Sequence, residues 1–212
     1  MAGEAEPGAL KRLADVAGGL TFAVGLIGSW LYLAGWSYAF RYFGHWGLGL
    51  APLELPKEFF FQYGVWVARA QLLSLVPVAV LLVAALVAPA VTRHPAAAWA
   101  RRLASAGLLA TLYLWGQGLA EATADADAAA DRAEGYPGHP GARLWLGDAW
   151  DKAPELADER RELAEGCYRL LFQNPKTLLL FRPRAGAEPA VLVVGRDAAE
   201  ALRILPAPSD CP

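Results

Sequence analysis

The chain has 212 residues, of which 56% are hydrophobic and 19% charged, and its formal net charge is −2. Soluble domains carry about 25% charged residues, so the deficit indicates long apolar segments. The near-neutral charge and the lack of a basic block with interleaved aromatic residues argue against a nucleic-acid partner. The abundance of Ala, Gly and Pro is typical of a bacterium with GC-rich DNA.

Three windows of the chain contain no Asp, Glu, Lys or Arg: Val16–Phe40, Ala70–Thr92 and Leu103–Ala120. A helix needs about 20 predominantly apolar residues to cross the hydrocarbon core of a bilayer. The windows therefore predict an α-helical membrane protein with three transmembrane helices. The alternative is a set of buried core helices, which the rest of the chain is too short to surround.

The predicted organisation begins with a large membrane part and ends with a small domain. In chain order it comprises an N-terminal tail at 1–13, a three-helix transmembrane domain at 14–134, a linker at 135–141, a strand-rich domain at 142–206 and a tail at 207–212. Within the transmembrane domain, residues 37–66 form an aromatic interfacial segment and residues 121–134 a helical stalk, since Ala-rich sequence favours helix. The stalk is predicted to end at Gly135.

Small residues recur at helical spacing in the first predicted helix, namely Gly18, Gly25, Gly28 and Ser29. In a bilayer, small residues let two helix backbones approach closely. The pattern predicts a helix-packing face, and it leaves open whether that face packs within one subunit or between copies.

Aromatic residues are concentrated between the first two predicted helices. Trp and Tyr accumulate where lipid headgroups meet the acyl chains. The residues assigned to such an interfacial belt are Trp36, Tyr38, Tyr42, Trp46 and Trp66. The second helix is predicted to begin near Pro56, because Pro suits the first helical turn.

The C-terminal part has the alternation and turn residues of a small α+β domain. A charged amphipathic helix at 154–165 precedes the strands, and a single helical turn is predicted at 197–200. The predicted strands are Tyr168–Phe172, Thr177–Phe181, Ala190–Val194 and Ala201–Leu205. Bent antiparallel strands with a helical turn before the last one resemble an SH3-like antiparallel sheet in architecture.

The distribution of basic residues predicts a plasma-membrane protein with a cytoplasmic N-terminus, because Lys and Arg favour the cytoplasmic side. Lys11, Arg12 and the basic link at 93–102 then lie inside, and the C-terminal domain lies outside. That domain holds both cysteines, Cys167 and Cys211. An oxidising compartment permits them to form a disulfide, and the sequence leaves open whether they do.

No motif of catalysis or cofactor binding is present. The histidines, His45, His94 and His139, lie in different loops without the paired spacing of a zinc site. Asp125, Asp127 and Asp131 resemble the start of a calcium loop, but Ala130 and Tyr136 occupy the positions where Gly and Glu are required. We therefore predict no cofactor, no metal and no enzymatic activity.

One polar stripe in the third predicted helix has a possible function. Gln117, Glu121 and Asp125 follow one another at one-turn spacing and share a helix face. Rings of acidic residues favour cations at a channel mouth, so the stripe is a candidate pore lining. The alternative is a helix that becomes polar where it leaves the lipid.

Two functions follow from these patterns. The leading hypothesis is a membrane accessory, scaffold or signal-receiving subunit that presents the small domain for protein–protein contacts. The alternative is a homo-oligomeric cation channel or pore-forming effector lined by the Gln117–Glu121–Asp125 stripe. The predicted partners are the lipid bilayer and other membrane protein chains or copies of the same chain.

Overall fold

The computed structural model describes residues 7–50, 53–74, 95–147, 156–183 and 190–206. Its elements are α1 (Pro7–Gly44), α2 (Lys57–Ala70), α3 (Pro95–Ala133), β1 (Gly141–Leu146), α4 (Ala157–Glu165), β2 (Tyr168–Gln173), β3 (Thr177–Phe181), β4 (Val191–Gly195), a 3-10 turn (Arg196–Ala198) and β5 (Ala199–Leu205). The chain divides into two compact units. The first unit comprises Met1–Ala39 and Pro56–Thr123, and the second comprises Phe40–Leu55 and Ala124–Pro212.

In the part of the chain that the structure describes, no helix is long and apolar enough to cross a membrane. This finding overturns the predicted fold class of three transmembrane helices, together with the plasma-membrane location and the N-terminus-in orientation. The first and third windows contain Gly, Ser, Thr, Trp and Tyr besides their aliphatic residues. Most of the second window, residues 75–92, lies outside the described residues.

The first unit is held together by a close approach of α1 and α2. A Cβ atom built on Gly35 would lie 1.7 Å from the carbonyl oxygen of Phe60, and one built on Gly64 would lie 2.0 Å from that of Leu31. The edge-to-face rings of Tyr32 and Phe60, with centroids 5.5 Å apart, flank the contact. Small-residue packing therefore exists in this unit, and Gly35 and Gly64 provide it.

The second unit contains a five-stranded antiparallel sheet in the order β4-β3-β2-β1-β5. The predicted strands overlap β2 to β5 with ends that differ by at most two residues, and the 3-10 turn overlaps the first half of the helical turn predicted at 197–200. The first strand was missed, since its residues follow the Pro- and Gly-rich linker directly. It pairs with β5 from Gly141 to Leu146 but with β2 only at Gly141 and Ala142.

One face of the sheet packs against α4. This helix buries Leu163 completely, and Gly166 ends it with a φ of 86° in the left-handed region that favours glycine. The buried cluster comprises Ala142, Leu144, Leu163, Tyr168, Leu178, Leu180 and Val194. The alternating residues of each strand point to the opposite face, where the candidate site lies.

Candidate functional site

The C-terminal end of α1 and residues of α3 form a charged cluster in the second unit. Arg41 donates through Nε to Oδ1 of Asp125 over 2.7 Å and through a second guanidinium nitrogen to Oδ2 over 3.2 Å. Nε2 of His45 lies 2.7 Å from Asp125 Oδ1. The hydrogen bond from Arg41 is the largest of the effects that lower the pKa of Asp125, and His45 adds to it.

The ion pair of Asp125 predicts a loss of stability at acidic pH. A carboxyl group whose folded pKa is depressed contributes stability above its unfolded pKa, and the contribution disappears as the pH falls through the folded value. The Asp125 side chain is 42% exposed, so solvent screening keeps the effect small. Urea midpoints measured between about pH 5 and about pH 2 should fall less steeply for Asp125→Asn than for the native chain. Equal slopes would contradict the prediction.

A second carboxylate–histidine group lies near the end of α3. The Tyr42 hydroxyl is 2.6 Å from Asp131 Oδ2 and 3.1 Å from His139 Nε2. With Asp131 ionised, the hydroxyl donates to the carboxylate and accepts from an imidazole that carries its proton on Nε2. The Oδ2 atom of Asp131 and the Nε2 atom of His139 are 3.7 Å apart. Tyr42 thus connects the two groups in a continuous hydrogen-bonded chain.

Aromatic rings enclose this chain on the sheet side. The Trp46 and Phe181 ring centroids are 4.4 Å apart, and Tyr136 packs 4.9 Å from Phe181 at a steep angle. His139 lies 5.4 Å from Phe181 and 5.8 Å from Trp46. The polar groups are therefore held in a largely water-excluded setting, where hydrogen bonds are electrostatically stronger than in water.

Arg169 of β2 is directly opposite Phe181 in the register of β2 and β3, and it is 9% exposed. Its Nη1 donates to the carbonyl oxygens of Tyr136 and His139. Burial lowers the pKa of its guanidinium, because removal from water disfavours the charged form. Burial likewise raises the pKa of the Tyr136 phenol.

The turn after α3 positions Tyr136 and His139. Gly135 and Tyr136 have φ angles of 72° and 63°, and the Tyr136 N–H donates to the Asp131 carbonyl over 2.6 Å. Gly adopts this left-handed region readily, whereas a bulky residue such as Tyr does so only when its surroundings fix it. The predicted helix stop at Gly135 is therefore confirmed, and the turn places Tyr136 against Trp46 and Phe181.

The contacts of His45 with Asp125 and of His139 with Tyr42 were not predicted from the sequence, because the partners are 80 and 97 residues apart. One signal was available. Arg41 and His45 are four residues apart, a spacing that puts basic groups on one helical face and suits an acidic partner. In the residues described, no group of three or more His, Cys, Asp or Glu side chains could hold a metal ion.

The members of the predicted polar stripe have separate surroundings. Gln117, in the first unit, donates to the Tyr113 hydroxyl over 3.0 Å and to the Ser37 hydroxyl over 3.5 Å. Glu121, also in the first unit, is exposed. Asp125 is in the second unit, where Arg41 compensates its charge.

The residues assigned to an aromatic belt divide into two groups. Trp36 and Trp66 are exposed, at 40% and 55%. The other three, Tyr38, Tyr42 and Trp46, are buried within their own units. Their aromatic character therefore serves the protein interior, where large rings bury much apolar surface.

The remaining predicted residues are only partly described. Nothing among the described residues lies within 4 Å of a Cβ built on Gly18, Gly25 or Gly28, and the Ser29 hydroxyl donates to the Gly25 carbonyl over 2.8 Å. Helix packing at these positions stays a prediction. Cys167 is buried and is not a free thiol. Cys211 lies outside the described residues, so its pairing with Cys167 also stays a prediction.

An exposed basic and aromatic surface lies on β1 and β5. Arg143 and Arg203 are directly opposite each other in the register, and Trp145 is opposite Ala201. Directly opposite residues of antiparallel strands point to the same face, so the two arginines and Trp145 share one side of the sheet. We call this surface the Arg143–Trp145–Arg203 face. Trp145 is 40% exposed.

Comparisons of the chain with protein-family models, curated proteins and solved structures give no match.

Proposed function

We propose that this chain is a non-enzymatic binding protein whose five-stranded sheet contacts an acidic segment of another protein. The observation that carries this proposal is the cross-strand pair of like charges, Arg143 opposite Arg203, beside the exposed Trp145. The proposal keeps the protein-contact role of the leading hypothesis without its membrane.

The paired arginines favour an acidic partner. Like charges directly opposite each other in a sheet destabilise it. Arg143 donates through Nε to the Glu165 carbonyl over 3.2 Å, which leaves its positive charge uncompensated. The ion pairs between described residues include neither Arg143 nor Arg203. A carboxylate supplied by a partner would relieve the repulsion.

The aromatic residue and the sheet edge support the same partner. Trp and Arg are enriched among the interface residues that contribute most to binding energy. Among the described strands, β5 pairs only with β1, so its other edge can accept an extended segment. Alternate acidic side chains of an added strand would then lie on the side of Arg203 and Arg143.

An enzymatic function has less support from the structure. The Tyr42–Asp131–His139 chain is hydrogen-bonded within itself, as expected of a structural network, and its members are mostly buried. The cation-channel alternative requires helices that cross a membrane and is not proposed.

Charge reversal at Arg203 is expected to separate stability from binding. Arg203→Glu would replace a repulsive cross-strand pair by an attractive one, which should raise the free energy of unfolding by about 0.5–1 kcal/mol. The same change should abolish binding of the acidic partner. Arg196→Glu, on the 3-10 turn, makes an equal change in net charge away from the face and should leave binding intact.

Binding can be measured by placing a photo-crosslinking residue at position 145 of the full chain in its native cells. We expect one crosslinked species of defined mass, which is lost in Arg203→Glu and retained in Arg196→Glu. The partner peptide at the crosslink should be acidic. A crosslink that survives Arg203→Glu, or no crosslink beyond that of a residue placed at position 159 on α4, would refute the proposal.

A further inference from the structure

Two buried donors in the second unit have no hydrogen-bond partner in the described residues. They are the indole Nε1 of Trp46 and the guanidinium Nε of Arg169. The two residues are 7% and 9% exposed. More than nine in ten buried polar groups in native proteins are paired, so two orphaned donors in one region require an explanation.

Both donors belong to the same cluster. Arg169 is directly opposite Phe181 in the register of β2 and β3, so their side chains share a face. The Trp46 ring packs 4.4 Å from the Phe181 ring. Arg169 also donates through Nη1 to the carbonyls of Tyr136 and His139, whose rings contact Trp46. The Trp46–Arg169 cluster therefore consists of Trp46, Tyr136, His139, Arg169 and Phe181.

The charge of the cluster is positive and uncompensated by the described residues. None of their ion pairs includes Arg169. The nearby carboxylate of Asp131 accepts from Tyr42 and faces His139. A buried charge without a counter-charge is strongly unfavourable. The groups that remain to be satisfied are donors, and a donor set with a positive charge selects an anion.

The size and hydration of the anion follow from the surroundings. The rings of Trp46, Tyr136, His139 and Phe181 pack against one another in this cluster, so an anion bound there must give up most of its hydration shell. This cost is lower for weakly hydrated monovalent anions than for sulfate, because desolvation rises steeply with charge. A water molecule could satisfy the two N–H groups but would leave the guanidinium charge uncompensated.

We propose that Trp46 and Arg169 together bind a small monovalent anion of halide or carboxylate size inside the second unit. Trp46 Nε1–H and Arg169 Nε–H donate to it, and Phe181, Tyr136 and His139 surround it. This site is independent of the Arg143–Trp145–Arg203 face and of the partner proposed for that surface.

The probe is bromide, added to the full chain against sodium sulfate of equal ionic strength. Sulfate generally stabilises proteins by exclusion from their surfaces, and that effect does not saturate. A rise in the unfolding temperature that saturates with bromide concentration, and does not do so with sulfate, therefore identifies a binding site. Trp46→Phe keeps an aromatic ring and removes the donor. Loss of one hydrogen bond to a charged group lowers the free energy of binding, and this variant should therefore bind bromide about tenfold more weakly.

Crystals of the native chain grown with bromide provide a second measurement that needs no variant. We expect an anomalous peak within hydrogen-bond distance of Trp46 Nε1 and Arg169 Nε. Bromide titrations without saturation, equal bromide affinity in Trp46→Phe and the native chain, or a water molecule in place of the anomalous peak would each overturn the proposal.

Discussion

Gly64→Ala is expected to lower the free energy of unfolding of the first unit by about 2 kcal/mol. Its Cβ would lie 2.0 Å from the carbonyl oxygen and 3.0 Å from the Cα of Leu31, and both are backbone atoms that no rotamer change can move. Overpacking of this kind typically costs about 1–3 kcal/mol and sometimes more. The gain in helix propensity from Gly to Ala, about 1 kcal/mol, offsets part of it. Urea unfolding followed by circular dichroism measures the difference.

Gly28→Ala is the matched control for this prediction. It makes the same chemical change within α1, but its Cβ meets nothing within 4 Å among the described residues. Helix propensity alone should then raise stability by up to about 1 kcal/mol. Gly35→Ala, with a Cβ 1.7 Å from the Phe60 carbonyl oxygen, should behave like Gly64→Ala. Equal effects of Gly28→Ala and Gly64→Ala would refute the close approach of α1 and α2.

Asn174→Ala is expected to destabilise the second unit by about 3–4 kcal/mol. The Asn174 amide oxygen accepts from the Lys176 N–H, the Thr177 N–H and the Thr177 hydroxyl, over 2.6–3.0 Å. Its amide nitrogen donates to the buried Leu53 carbonyl over 3.1 Å. Each hydrogen bond contributes about 1 kcal/mol net, and a buried acceptor left unpaired costs more. The second unit's unfolding midpoint in urea tests the loss.

Asn174→Asp separates the two halves of this network. A carboxylate keeps the acceptor role toward Lys176 and Thr177 but cannot donate to the Leu53 carbonyl. We expect a loss of about 1–3 kcal/mol, from the unpaired carbonyl and its repulsion of the carboxylate. A loss of stability as large as that of Asn174→Ala would mean that the hydrogen bonds to Lys176 and Thr177 contribute little. An unchanged stability would contradict the hydrogen bond to the Leu53 carbonyl.

Local elements of the second unit could be predicted because neighbouring residues determine them. The turn at Asn174–Lys176 separates two apolar runs, and Gly135 follows the last periodic residue of α3. Both features depend on side-chain chemistry within a few residues. The pairing of β1 with β5 joins segments about 60 residues apart in the chain, and nothing in the local pattern of β1 distinguishes it from the linker before it.

The membrane prediction was wrong for a different reason. Charge-free windows in a hydrophobic chain were interpreted as membrane spans, whereas no helix in the described part of the chain is long and apolar enough to cross a membrane. The exposed aliphatic side chains of α1, among them Val24 and Ile27, are interspersed with Gly, Ser, Trp and Tyr residues. Tyr38 and Tyr42, which the sequence assigned to an interfacial belt, are buried in the structure.

The sequence by itself determined the strands β2 to β5, the turn before β3 and the end of α3, because these depend on turn chemistry and on the period of the apolar residues. Only the tertiary structure decided which distant groups meet. Asp125 meets Arg41 and His45, Asp131 meets Tyr42 and His139, and Phe181 has Trp46 packed against its ring and Arg169 opposite it in the sheet. Such contacts depend on strand register and helix packing, which bring together residues that no sequence window contains.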